Sequence, residues 1–183
     1  IAVGLLAFKL YPVVKNKIDS SKKVDLINYR YPVSQHIIDQ QSPANPWAKA
    51  IGDFDGDGVG DLIVAGSHGP LVMYRSGGKD KTVIGSRDSY YTQSGIALGD
   101  IDNDGDVDIV FGDVWLENPR PKGNVSALWS LHSIGAAATN HNIELADLNK
   151  DGNLDIIMRG ETSSLVTILV HDPSGFWSIQ TLE

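Results

Sequence analysis

DFDGDGVGD, residues 53–61, sets four aspartates and three glycines within nine positions and contains no basic residue. Like charges held this close repel one another, so the loop needs something to offset that cost. The chain builds it again as DIDNDGDVD at 100–108 and as DLNKDGNLD at 147–155. The starting positions 53, 100 and 147 are 47 residues apart both times. One acidic loop could be a solvated turn, but three in register are a structural repeat.

The flanks repeat too. AKAIG (48–52), GIALG (95–99) and NIELA (142–146) precede the loops. LIVAG (62–66), IVFGD (109–113) and IIMRG (156–160) follow them. Short apolar runs rich in β-branched residues and bounded by Gly and Asp read as buried strands. A third strand is expected at LVMYR (71–75), VWLEN (114–118) and VTILV (166–170). A fourth is expected at WSLHSI (129–134), at its echo WSIQTL (177–182), and at KTVIG (81–85), which lacks the Trp. Four strands per repeat of 40 to 50 residues is the signature of a propeller blade. The fold class is therefore all-β, a β-propeller with complete blades over about 47–85, 94–134 and 141–182. DLINYRYPVSQHIID (25–39) reads as the last two strands of a further blade. After residue 20 no segment sustains a helical apolar period.

The 183 residues are 42% hydrophobic and 21% charged, which suits a globular chain. Net charge is −8, and the three loops hold twelve of the 23 acidic residues, so the acidity is local. A nucleic-acid partner would want clustered Lys and Arg instead, and none is expected. The absence of cysteine excludes disulfides, thiolate metal sites and cysteine nucleophiles.

IAVGLLAFKLYPVV (1–14) is apolar apart from Lys9, and a lysine-rich stretch follows. Fourteen residues fall short of the about 20 that span a bilayer. Residues 1–23 read as an export, anchoring or assembly segment, with a packed helix as the alternative. Residues 24–183 carry the repeats. This places the protein outside the cell or at its surface, with membrane anchoring through the N-terminal segment possible. Three blades and a half leave strand edges to cover, so further blades or a homo-oligomer are expected.

Hard cations account for the loops. Ca²⁺ takes six to eight oxygen ligands from carboxylates, carbonyls and water. Oxygens at positions 1, 3 and 5 can converge, and Gly at position 6 allows a sharp turn. Position 7 can then offer its carbonyl, and an acid at position 9 can close the shell. The residues in those places are Asp53, Asp55, Asp57, Val59 and Asp61; Asp100, Asp102, Asp104, Asp106 and Asp108; and Asp147, Asn149, Asp151, Asn153 and Asp155. Position 6 is Gly58, Gly105 and Gly152. Three Ca²⁺ sites are expected. A catalytic metal would need an open position and a nearby base, and five protein ligands leave little room.

The loops resemble the first half of an EF-hand, without the Glu at position 12 or the flanking helices. They are much more similar to the FG-GAP/VCBS repeat family, whose blades carry D-x-D-x-D-G-x-x-D loops. The resemblance covers about 47–182 and, weakly, 25–39. It implies a calcium-stapled propeller in which the metal is mainly structural. Relatives include the integrin α head, secreted lectin-like proteins and some polysaccharide lyases. The implied function is binding or scaffolding toward glycan or protein partners, with self-assembly possible.

The alternative is a propeller domain of a polysaccharide lyase or hydrolase, which needs a base such as His, Tyr, Lys or Arg. His68, His141, Arg159 and Tyr90-Tyr91 would have to meet in one pocket, and no convergent cluster is visible in the sequence. GDGVG (56–60) mimics a phosphate loop, but no helix follows it. His36 and His132 occupy similar places on blade strands and read as packing or surface pairing. Trp129 and Trp177 repeat at a spacing of 48 and read as blade packing, whereas Trp47 and Trp115 break the repeat and are freer to bind.

Overall fold

In the computed structural model the alternation of apolar runs and acidic loops becomes a succession of antiparallel meanders. The structure describes residues 37–41, 43–66, 69–85, 95–135, 140–160 and 166–182. The first sheet comprises β1 (Pro46–Gly52), β2 (Asp61–Gly66), β3 (Leu71–Arg75) and β4 (Asp80–Gly85). The second comprises β5 (Ile96–Gly99), β6 (Asp108–Phe111), β7 (Val114–Glu117) and β8 (Ser130–Ser133). The third comprises β9 (Asn140–Ala146), β10 (Asp155–Gly160), β11 (Val166–His171) and β12 (Trp177–Leu182). In every sheet the strands lie side by side in chain order. A short 3₁₀ turn at Ser76–Gly78 is the remaining regular element among the described residues. The fold is all-β, built of four-stranded propeller blades.

The register is the same in each blade. Gly52 faces Asp61, Gly99 faces Asp108 and Ala146 faces Asp155. Each acidic loop thus closes the hairpin of the first two strands, and its ninth residue opens the second strand. The first strands β1, β5 and β9 are neighbours in turn, β1 beside β5 and β5 beside β9. Small residues at the strand ends permit that approach. A Cβ on Gly52 would meet Leu98 and Phe54, and one on Gly99 would meet Leu145 and Leu154.

Two cores lie between the blades rather than within them. One joins Phe54, Ile63, Leu71, Met73 and Ile84 of the first blade to Ile109, Phe111, Leu116, Val125 and Trp129 of the second. The other joins Ile101, Val110 and Ile134 of the second blade to Ile143, Ile156, Met158 and Leu169 of the third. Successive side chains of a strand point to opposite faces. Ile109 and Phe111 therefore serve the first core while Val110, between them, serves the second. Burial on both faces explains why IVF reads as an unbroken apolar run.

The segment 1–23, His36, His68 and Tyr90-Tyr91 lie outside the described residues, as does the proposed half-blade at 25–39 apart from 37–39. Within that remnant, Asp39 accepts hydrogen bonds from the Tyr74 hydroxyl (3.0 Å) and pairs with Lys81 Nζ (2.7 Å). Lys81 holds the Asp39 carboxyl well below the usual carboxylate range.

Candidate metal centres

Each acidic loop is wound by its own carboxylates. In the first, Asp53 accepts from the N–H groups of Gly56 (2.8 Å), Asp57 (3.1 Å) and Gly58 (2.9 Å). In the second, Asp100 accepts from Asp104 and Gly105, both at 3.0 Å. In the third, Asp147 accepts from Asp151 (3.1 Å) and Gly152 (3.0 Å). The fifth residue accepts from the seventh in all three: Asp57 from Val59, Asp104 from Asp106, Asp151 from Asn153. The ninth accepts from the second: Asp61 from Phe54, Asp108 from Ile101, Asp155 from Leu148.

The winding demands left-handed backbone at the sixth residue. Gly58, Gly105 and Gly152 have φ of 84°, 95° and 91°. A Cβ there would meet nothing within 4 Å, so conformation and not space selects glycine.

The result gathers carboxylates. One oxygen each from Asp53, Asp55 and Asp61 lies within 4.8 Å of the others, and so do oxygens of Asp100, Asp102 and Asp108. In the third loop Asn149 stands where the others have Asp55 and Asp102, and its Nδ2 donates to Asp151 (2.8 Å). A hard cation fits these sets. Asp61, Asp108 and Asp155 are buried, at 2%, 0% and 0% exposure. Burial pushes the Asp108 carboxyl up to about 7, and Asp61 is raised by the same cause. Asp106 is raised to about 6 by burial and then by Asp104 and Asp102. Both oxygens of the Asp106 side chain are buried without a hydrogen-bond partner. Unpartnered buried carboxylate oxygens are costly unless a cation offsets them.

The seventh residues differ in surroundings. Val59 is 54% exposed, Asp106 is buried, and Asn153 accepts from Asn103 Nδ2 of the preceding loop (2.9 Å). Among the described residues, Arg75 Nη1 bonds Asp55 of the first loop (3.2 Å), and the Arg120 guanidinium lies over Gly56 and pulls the Asp106 carboxyl of the second loop down against the effect of burial.

Two residues that tie loop to blade are not legible in the repeat. The Asn118 N–H donates to Asp108 (2.8 Å), and the His171 N–H donates to Asp155 (3.0 Å). They occupy the same place, at the end of the third strand. Their distances along the chain from those aspartates are 10 and 16 residues, so no fixed spacing reveals them. Of the residues considered for a lyase pocket, His141 packs edge-on against Trp47 (6.2 Å) and Arg159 is exposed on β10.

Residues 32–111 match the model of the FG-GAP-like repeat family. The chain is also similar to integrin alpha pat-2 of Caenorhabditis briggsae, 44% identical over 78 residues, which covers 36% of this chain and 6% of that protein. Integrin alpha pat-2 of Caenorhabditis elegans is 42% identical over 78 residues, with the same shares. The match thus spans a small fraction of these relatives' length. No solved structure matches.

Proposed function

We propose that this chain of FG-GAP-like repeats is a calcium-stabilised propeller module that binds or scaffolds partners outside the cell or at its surface. The family match and the integrin alpha relatives support a propeller-type binding module. The carboxylate sets of the first two loops carry the calcium reading, because burial makes Asp61 and Asp108 unfavourable anions unless a cation offsets them. Ca²⁺ would be held by Asp53, Asp55, Asp57, Asp61 and the Val59 carbonyl; by Asp100, Asp102, Asp104, Asp108 and the Asp106 carbonyl; and by Asp147, Asn149, Asp151, Asp155 and the Asn153 carbonyl. When bound, the ion supplies the positive charge that lets each hairpin keep its acids.

Protein partners fit the integrin-like relatives best. Glycan binding, self-assembly and anchoring through residues 1–23 belong to the same proposal. The test is calorimetric. Calcium titrated into the chelator-stripped protein should bind with three equivalents and raise Tm, since a ligand of the native state stabilises it by mass action. An unchanged Tm in excess chelator overturns the calcium reading.

A further inference from the structure

The second and third acidic loops touch through side chains that are not themselves expected to hold a metal. Asn103, the fourth residue of the second loop, donates from Nδ2 to Oδ1 of Asn153, the seventh residue of the third (2.9 Å). Asn153 then donates from its own Nδ2 to Asp151 Oδ1 (2.9 Å), which also accepts from the Asn153 N–H (2.8 Å). The carboxylate fixes the direction of this path. Asp151 can only accept, so the Asn153 amino group faces it and the Asn153 side-chain oxygen is left for Asn103. Both asparagines line a groove of about 570 Å³ between the second and third blades, which Trp177 and the stacked pair Trp115–His132 also border.

Each end of the path belongs to a candidate metal centre. Asn103 stands between Asp102 and Asp104 with its backbone left-handed (φ 61°), so the winding of the second loop aims its side chain. Asp151 is the fifth residue of the third loop, and the Asn153 main-chain carbonyl is that loop's seventh-position oxygen. The third loop has the greater need of support, because Asn149 and Asn153 stand where the second has Asp102 and Asp106. The first junction lacks the link. Gly56, the fourth residue there, has no side chain to donate, and the Arg120 guanidinium lies over it. Asp106, the seventh residue of the second loop, is close enough to Arg120 for its carboxyl to be pulled down, yet neither of its oxygens has a hydrogen-bond partner.

We propose that Asn103 and Asn153 are a positioning pair through which filling of the second loop with calcium raises the calcium affinity of the third. The element that both loops bias is the Asn153 side chain. Engaged on Asn103, it keeps its amino group on Asp151. Released, it turns to water in the groove, and Asp151 loses one of its two bonds to Asn153. A second loop already wound by its cation holds Asn103 still, so part of the ordering that the third loop needs is done in advance. Such coupling is reciprocal: a filled third loop favours the second by the same factor. Plain electrostatics has the opposite sign, because a cation in the second loop repels one arriving at the third. The direction of the coupling therefore separates the relay from the field. This inference rests on the calcium reading and adds to it an order of filling.

The test uses the whole protein. Calcium is titrated into the chelator-stripped chain while the backbone N–H resonances of Gly58, Gly105 and Gly152 report the three loops separately. Asn103→Gly removes the link without touching the third loop, and glycine keeps the left-handed backbone that Gly56 has at the same position. It should weaken the third site about two- to tenfold, the factor that one net hydrogen bond supplies, and leave the first site as it was. Asp102→Asn, which weakens the second site, should lower the third site's affinity in the unaltered chain and not in the Asn103→Gly background. An unchanged Gly152 midpoint in Asn103→Gly, or a third site that tightens in Asp102→Asn, overturns the inference. If Asn103→Gly fails to fold, the unaltered chain decides: the Asn103 side-chain amide resonances should move again as Gly152 responds, and amides that follow Gly105 alone overturn the relay. Glycine resonances that ignore calcium sink the calcium reading and the relay with it. Three filled loops that neither variant couples sink the relay alone.

Discussion

At the first junction between blades, Trp129 is 4% exposed and packs edge-on against Phe54 (5.8 Å). Its backbone N–H donates to Ile84 of the neighbouring blade (2.8 Å), and Asn118 Nδ2 donates to the Phe54 carbonyl (3.0 Å). At the second junction Trp177 is half-buried on His171 and faces the groove. The two tryptophans stand at the same place in the repeat, and the connection before each makes the difference. Residues 118–129 join β7 to β8, bringing Val125 into the core and Ser126 to Arg75 (2.7 Å). Only 172–176 join β11 to β12, a turn too short to cover the neighbour. A junction closed by its own chain buries its tryptophan, whereas one left open leaves its tryptophan half exposed.

The largest test of this contrast is Trp129→Ala against Trp177→Ala. The first should cost about 3–5 kcal/mol, as large aromatic truncations in a packed core do. The second should cost about 1 kcal/mol, because its site is already half open to water. Urea unfolding in calcium measures both, and equal losses would erase the distinction.

The second test is pH. The folded protein raises the Asp106 and Asp108 carboxyls to about 6 and 7, so in chelator it binds protons more tightly than the unfolded chain does. That contribution is complete below the ordinary carboxylate range and is lost as pH rises through 6 and 7. Tm of the stripped protein should fall by several degrees from pH 4.5 to 7.5, and calcium should remove most of the fall. A stripped protein whose Tm climbs steadily over that range would contradict the account of the second loop.

The third test compares the loops. Asn149 leaves the third loop with three carboxylates against five in the second. Fewer charges weaken Ca²⁺ binding, so the third loop should empty first on dialysis, and Asn149→Asp should delay its loss. Calorimetry that finds the third site tightest would refute the ranking.

The smallest effect is expected at the groove's rim. His132 Nε2 meets Glu117 at 2.8 Å, but both side chains are well exposed. Glu117→Gln should cost less than about 1 kcal/mol, since solvent screens such pairs. A larger loss in urea would show that the Trp115–His132 wall is held more firmly than its exposure implies.

The sequence by itself determined the blades and the acidic loops. Both are local: a strand is written in four to six residues of apolar pattern, and DFDGDGVGD contains the carboxylates, the turn glycine and the N–H groups they bind. The forty-seven-residue period then multiplied one reading by three. Tertiary structure alone decided what lies between blades. Trp129 and Trp177 repeat at a spacing of 48 and both read as packing, yet only Trp129 is buried. Asn118 and His171 share a role but not a residue type, and Arg120 reaches Gly56 from 64 positions away. Such contacts depend on which side chain of the next blade arrives at a given surface. That is set by connection length and by the alternation of faces along paired strands, and no pattern along the chain records it.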